Sequence, residues 1–585
     1  MLSPRQRRSY VARIGVFVCH CGLNIASTVN VERVVEAMRG YPGVAFAADY
    51  AYMCSDPGQD LIRTSIRDHD LDGVVVAACS PAMHEATFRK AAQAAGLNPY
   101  QVEVANIREQ VSWPHRGAPK EATRKAVEIV GTLVEKVRRD EALQPLKLPV
   151  TKRALVIGGG IAGLTAAVNV ADGGYPVVLV ERSHHVGGKV AQLSSLYLDG
   201  GESARLLQER IEAVTHHPRI EVLAEAEVVG FEGYVGNFSV QVDQAADTRP
   251  GDAGRESGSG MRYDVGAVVL ATGFDLYAKE RLPDYGGGRY PNVVSSLTFE
   301  RMLEEGEIRR PSDGRVAREV VWIQCAGSRS PEHHRPYCSK ICCMCAAKQT
   351  IAYRERVPEG QAYVFYIDIR SQGRGYDEFV QSAMEDFGVV YLRGKVSRVV
   401  ERDGKLEVWG VDTLTGRSAR LAADLVVLML AAVPSAGSQE LARLLRVGCD
   451  ENGFFAEAHP KLHPVESLTA GVYLAGAAQF PKDIPESVAQ ASGAAAKVLK
   501  LFAQEEMASE PSVAVVDERL CAGCGLCVPA CPYEARELDL WKKVALVNEA
   551  LCQGCGACAV VCRNKATKVR NLTTEQILAM MEAVL

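Results

Sequence analysis

Near its C-terminal end the chain carries one pattern twice: Cys521-x2-Cys524-x2-Cys527-x3-Cys531-Pro532, then Cys552-x2-Cys555-x2-Cys558-x3-Cys562. Thiolates at this spacing wrap an inorganic cubane, three cysteines of one run holding a [4Fe–4S] cluster while the fourth crosses to the other. The tail is thereby constrained to two interlocked loops. Glycines at 523, 525, 554 and 556 let the backbone turn tightly and aim N–H groups at sulfur. Zinc knuckles, the plainer alternative, want cysteine pairs separated by a longer loop.

The doubled run is the arrangement of two-cluster bacterial ferredoxins. It assigns Cys521, Cys524, Cys527 and Cys562 to one cluster and Cys552, Cys555, Cys558 and Cys531 to the other. Arg563 stands where the second run would ordinarily have Pro, which removes no ligand. The other cysteines cluster as well: of 18 in 585 residues, five lie between Cys325 and Cys345 and four are Cys19, Cys21, Cys54 and Cys79. The N-terminus lacks the apolar stretch of a secretory signal, and the longest apolar run, Leu425 to Val433, is nine residues, against roughly 20 for a bilayer span. The chain is therefore expected in the cytoplasm, with no membrane span, where thiols stay reduced and tight cysteine spacing means metal rather than disulfides. A net charge of −5 supplies no basic excess for nucleic acid.

Strand and helix patterns predict a five-part α/β chain. Residues 1–148 read as a small parallel α/β domain, with strands at Ile14–Val18, Val44–Ala47, Val74–Ala78 and Val102–Ala105 and helices at Val31–Arg39, Gln59–Arg67, Met83–Ala95 and Lys120–Arg138. Pro145 to Pro149 reads as a linker, and Thr248 to Gly260 as a surface excursion. Beyond the linker lie a first Rossmann segment (149–277), an inserted domain (278–432), a returning segment (433–505) and, after a polar stretch, the cysteine-rich tail (511–585).

Residue 149 onward opens on the strand Ala154–Ile157 followed by Gly158-x-Gly160-x-x-Gly163. The glycines permit a tight turn, a close approach of backbone to a pyrophosphate and a helix–strand contact. Glu181, ending the strand Val177–Val180, is placed to accept ribose hydroxyls, with Arg182, Gly187, Gly188 and Lys189 just beyond. Ala271-Thr272-Gly273 ends another strand, and Gly476, Ala477 and Ile484 sit at a later strand–turn–helix. This order resembles thioredoxin-reductase-like flavoproteins with two dinucleotide-binding domains. The resemblance implies FAD bordered by these residues. At the start of the inserted domain, however, VVWIQCAGSRS places Cys325 where a second glycine loop belongs, which argues against an ordinary nicotinamide site.

Cys325, Cys338, Cys342 and Cys343 replace that loop, and their spacing alone leaves a cluster, redox thiols and zinc all open. The segments QCAGSR, PYCSKICC, YIDIRSQGRGYDEF and LAGAAQFPKDIPESVAQAS resemble the A subunit of heterodisulfide reductase, as do VFVCHCGLNIA, YMCSDPGQDLI and VVVAACSPAMHEATFR near the N-terminus. The resemblance implies that Cys325, Cys338, Cys342 and Cys343 ligate a [4Fe–4S] cluster near the flavin. It further implies that Cys19, Cys21, Cys54 and Cys79 ligate a fourth, and that Lys348 lies beside the isoalloxazine ring. The bland alternatives are buried core cysteines and a solvated helix lysine. His20 and His84 read as polar neighbours, and Cys345 and Cys449 are left over. Methanogen members carry an extra ferredoxin insert; the corresponding Gly200 to Val265 contains no cysteine, as in the shorter bacterial form.

By this resemblance the chain is an oxidoreductase: an electron-transfer component carrying FAD and four [4Fe–4S] clusters, a homodimer within a larger complex. Its implied partners are heterodisulfide reductase B- and C-like subunits, ferredoxin and a donor module. The donor is a hydrogenase, formate dehydrogenase or NADH-oxidising subunit, joined directly or through a small iron–sulfur adaptor. Flavin-based bifurcation between ferredoxin and a disulfide or other higher-potential acceptor is implied with it. The alternatives are a non-bifurcating relay like quinone-interacting oxidoreductase subunits, an NAD(P)H-dependent disulfide reductase and a structural scaffold.

Overall fold

A computed structural model describes residues 12–198, 203–244 and 260–585. Most of the expected excursion at Thr248–Gly260 lies outside those residues. The chain divides into two compact units, one of residues 1–148 with 508–585, the other of 149–507.

In the first unit four parallel strands stand in the order Val44–Tyr50, Ile14–Cys19, Gly73–Ala78, Val102–Asn106. Ile14–Cys19 and Gly73–Ala78 are buried on both faces because helices cover each side, which is why they read as unbroken apolar runs. Helix Asp56–Asp68 starts three residues before the expected Gln59, since Pro57 in its first turn is pre-set for helix. The tail folds as two antiparallel strand pairs, Ala514–Val516 with Thr567–Val569 and Arg536–Asp539 with Val544–Val547. Its last helix, Thr574–Glu582, packs on Pro119–Val137 of the N-terminal domain. There Gln576 donates to Asp140 at 2.8 Å, and Asn571 accepts from the Glu141 N–H at 2.9 Å.

The second unit is built on a seven-stranded sheet with a parallel centre, Val472–Leu474, Ala267–Leu270, Ala154–Ile157, Val177–Val180 and Ile220–Leu223. Apolar clusters lie on both of its faces. The inserted part carries a parallel five-stranded sheet in which Glu319–Ala326 lies between Leu425–Leu430 and Gln361–Tyr366. Two antiparallel strands, Phe274–Leu276 and Ala432–Pro434, carry the chain into and out of it. The stretch expected as a linker, Pro145 to Pro149, is instead a short strand, Leu146–Pro149, in which half-buried leucines alternate with an exposed lysine.

Candidate functional site

The parallel strands of the larger sheet end on a cleft of 1330 Å³. Gly158, Gly160, Glu181, Arg182, Gly188, Lys189, Ala271, Thr272, Gly273, Ala477 and Ile484 all line it. Three of the expected glycines act behind the wall instead. A Cβ on Gly163 would meet the Gly158 carbonyl oxygen at 1.8 Å, and one on Gly476 would meet Ala162 Cβ at 2.7 Å, so each sets how closely helix and strand approach. Gly187 donates its N–H to the Gly159 carbonyl at 2.8 Å, with φ +117°. Gly160 has nothing within 4 Å of its missing Cβ, which leaves backbone N–H groups at the start of helix Ile161–Asp172 open to a phosphate.

Glu181 accepts from the Gly159 N–H at 2.6 Å and the Ser183 N–H at 2.8 Å, so its carboxylate is oriented before any hydroxyl arrives. Arg182 donates to the Ala436 carbonyl at 2.7 Å. Burial would raise the Asp275 carboxyl, but the Ala436 N–H, Lys189 and Arg182 hold it below the ordinary value. The Thr272 hydroxyl oxygen is buried in the wall with no protein partner. A long, partly polar cleft with a glycine turn, a fixed carboxylate and an unpartnered hydroxyl fits a dinucleotide such as FAD.

Lys348 does not line this cleft. It is 6% exposed, and its ammonium donates to the Ser195 carbonyl at 2.8 Å and pairs with Glu300 at 2.7 Å. Glu300 was not legible as a site residue. Its carboxylate, 1% exposed as a residue, also accepts from the Ser194 N–H and hydroxyl and from the Gln349 amide.

Cys325 ends the strand Glu319–Ala326 at φ +55°, Cys342 and Cys343 begin the helix Cys342–Arg356, and Cys338 lies in the loop before it. The four thiols act on one another. Burial first, then the neighbouring thiols, pushes Cys325 up to about 11, Cys343 up to about 12 and Cys342 well above its ordinary value. Backbone N–H groups of Lys340 and Arg370 meet Cys338 and Cys343, the former at 3.2 Å. The Gln324 amide nitrogen is buried there without a partner. A metal or cluster held by these cysteines would take them as thiolates, so its binding would release their protons.

At the edge where the four-stranded sheet's parallel strands end, Cys19 accepts N–H groups from Cys21 at 3.3 Å and Met53 at 3.4 Å. Burial, then Cys21 and Cys54 among its neighbours, raises Cys19. Burial pushes Cys79 up to about 11, with Arg108 opposing and Cys21 and Cys19 adding to it. Cys19 thus has each of the other three expected cysteines as a neighbour, and Arg108 donates to Cys21 Sγ at 3.5 Å. His20 is taken up by Asp49 at 2.7 Å, and His84 lies tilted against Phe88.

In the tail, Cys558 has Cys552, Cys531 and Cys555 as its thiol neighbours, so the fourth cysteine of the first run stands with three of the second. The two halves repeat at an offset of 31 residues, down to matched donors: Ala545 N–H to Cys521 and Ala514 N–H to Cys552, both at 3.4 Å, and Ala535 N–H to Cys531 and Ala566 N–H to Cys562. Gly523, Gly525, Gly554 and Gly556 all take positive φ, so the backbone turns tightly between the cysteines of each run. Among the described residues no three His, Cys, Asp or Glu side chains close on the geometry of a single metal ion; a cubane spreads its thiolates more widely. Cys345 is half-buried and is a further thiol neighbour of Cys342, and Cys449 is exposed.

Residues 152–304 match the pyridine nucleotide-disulphide oxidoreductase family and 514–537 the 4Fe-4S binding domain. The chain is 40% identical to the second of the iron-sulfur A subunits of CoB–CoM heterodisulfide reductase in Methanopyrus kandleri, over 90% of this chain and 91% of that one. It is 37% identical to the A subunit of the H(2):CoB-CoM heterodisulfide,ferredoxin reductase of Methanothermobacter thermautotrophicus, over the same shares. A thioredoxin reductase from T. acidophilum is similar at 17% identity, TM-score 0.41, over 60% of this chain and all of that one.

Proposed function

Because the chain belongs to the family of heterodisulfide reductase iron–sulfur A subunits, we propose that it works within such a complex as the component that parts an electron pair into single electrons. It is an oxidoreductase and an iron–sulfur flavoprotein. No helix among its described residues is long and apolar enough to cross a membrane. FAD, when bound, supplies exchange of two electrons on one side and of one at a time on the other, and [4Fe–4S] clusters relay single electrons.

In this reading Gly158, Gly160 and Gly188 admit the pyrophosphate, Glu181 takes the ribose hydroxyls, and Thr272 and Ile484 border the flavin. Cys325, Cys338, Cys342 and Cys343 hold one cluster, Cys19, Cys21, Cys54 and Cys79 another, and the tail two. Lys348, ion-paired with Glu300, is the lysine this reading sets beside the flavin's ring. A donor module of the hydrogenase, formate dehydrogenase or NADH-oxidising kind supplies the pair. One electron leaves toward ferredoxin and the other toward B- and C-like subunits and their disulfide.

The observation that carries this reading is the substitution of a cysteine nest for the second glycine loop. Cys325 occupies the strand end where a nicotinamide cofactor would need bare backbone. Anaerobic mixing of the isolated chain with NADH tests it. The flavin stays oxidised with NADH and is reduced by low-potential reduced ferredoxin. Rapid reduction by NADH alone would establish the rival, an NAD(P)H-dependent disulfide reductase.

A further inference from the structure

The strand Glu319–Ala326 breaks its ladder where the central cysteines begin. Ile323 pairs with Leu428, but the next pair along that neighbour is Ala326 with Leu430, so this strand carries one extra residue there. On its other side, pairing with Gln361–Tyr366 stops at Ile323. The bulge falls on Gln324 and Cys325, and Cys325 takes φ +55°. Such an irregularity re-aims the side chains it carries.

Gln324 is 6% exposed, and only one end of its amide is used. The Cys343 thiol donates to its Oε1 at 3.3 Å, while its Nε2, with two N–H groups, is buried with no partner. Gln349, on the helix that carries Cys343, shows the contrast. It accepts from the Trp322 indole at 3.1 Å and donates to the Ser296 carbonyl at 3.0 Å and to Glu300 at 2.6 Å. Idle donors in an interior carry a desolvation cost with no return, so those of Gln324 call for an acceptor. The adjoining cysteines supply one once they hold iron. A sulfur bonded to iron carries no proton, so Cys343 as a ligand accepts hydrogen bonds and donates none. The Oε1 that takes the proton of the free thiol would then oppose a negative sulfur. A half-turn of the amide exchanges its two ends and sets Nε2 against Cys343 without moving the backbone.

We propose that Gln324 tunes the cluster of Cys325, Cys338, Cys342 and Cys343: its amide turns over when the cluster forms, donates to Cys343 and raises the cluster's reduction potential. Reduction adds one negative charge to the cluster and its thiolates, and a hydrogen bond to ligand sulfur stabilises that charge. Gln324 acts through Cys343 and is a positioning residue, biasing a single electron toward this cluster. The proposal rests on reading these four cysteines as a cluster site.

The test uses the full-length, cluster-loaded protein, in which the EPR signal of this cluster is the one that Cys338→Ser removes. With glutamine side-chain amides labelled with nitrogen-15, pulsed EPR of the unsubstituted protein shows a labelled nitrogen coupled to that signal. Gln324→Met, close in length but without a donor, abolishes the coupling. In a redox titration it also lowers the cluster's reduced-to-oxidised ratio roughly tenfold at the original midpoint, about 59 mV for one electron, with iron content unchanged. Absence of the coupling in the unsubstituted protein would overturn the proposal, whether or not the variant folds. So would a midpoint that stays in place in Gln324→Met with iron retained. Iron content that Cys338→Ser does not lower would instead overturn the cluster reading beneath it.

Discussion

Lys348 Nζ stands 2.7 Å from a Glu300 carboxylate oxygen, with the two side chains 7% and 2% exposed. A pair so enclosed is costly to break from one side, because the survivor is left charged and unsolvated. Lys348→Met and Glu300→Gln should each destabilise the flavin-binding unit by about 3–5 kcal/mol. The double substitution should cost clearly less than the sum, the signature of direct coupling. Denaturant unfolding followed by flavin release measures all three.

Gly163→Ala and Gly160→Ala should part company. The first puts a Cβ 1.8 Å from the Gly158 carbonyl oxygen and forces the turn apart, so the protein should be isolated without flavin and with lowered thermal stability. The second meets nothing within 4 Å, so the protein should fold normally but bind flavin roughly tenfold more weakly, because the methyl occupies the space the phosphate approaches. Visible absorbance of the purified proteins and a thermal melt distinguish the two.

Asp140 gives the first unit a pH dependence. Its side chain is fully buried beside Lys136 at 3.2 Å, and Lys136 also serves Glu103 at 2.5 Å, so two carboxylates share one ammonium. Burial, against the pull of Lys136, pushes Asp140 from 3.8 up to about 7. The folded chain therefore keeps a proton that the unfolded chain releases. The stabilisation is complete below pH 3.8 and is lost as pH rises through about 7. Hydrogen exchange in Thr574–Glu582, whose Gln576 bonds Asp140, should show more protection at pH 6 than at pH 8 after correction for intrinsic rates. Asp140→Asn should flatten the difference.

Arg108 donates to Cys21 at 3.5 Å and is itself fixed by Glu109 at 2.6 Å and by the Trp113 ring. On the four-cluster reading, Arg108→Gln should lower the midpoint of the N-terminal cluster. The reduced-to-oxidised ratio should fall roughly tenfold at the original midpoint, with iron content unchanged. An EPR titration reads both.

Sequence period and spacing carried much of this architecture. Ala154–Ile157 and Val177–Val180 fall where expected because four apolar residues bounded by glycine turns and a charged end leave one reading. The cysteine groups were legible as groups because the cysteines crowd near strand ends and helix starts. Glu300 was not, since on its helix it is one more acidic residue until the fold carries it to Lys348. Nor was the union of the N-terminal domain with the tail. It hangs on Gln576 with Asp140 and Asn571 with Glu141, polar contacts between residues more than 400 positions apart that leave no periodic trace.

Iron, acid-labile sulfide and flavin per chain in anaerobically prepared protein decide whether one chain holds a flavin and four cubanes. About 16 Fe, about 16 sulfides and one FAD are expected. About 12 Fe, with Cys79→Ser causing no further loss, would remove the N-terminal site. About 8 would contradict the four-cluster assignment, leaving a flavoprotein with a ferredoxin tail.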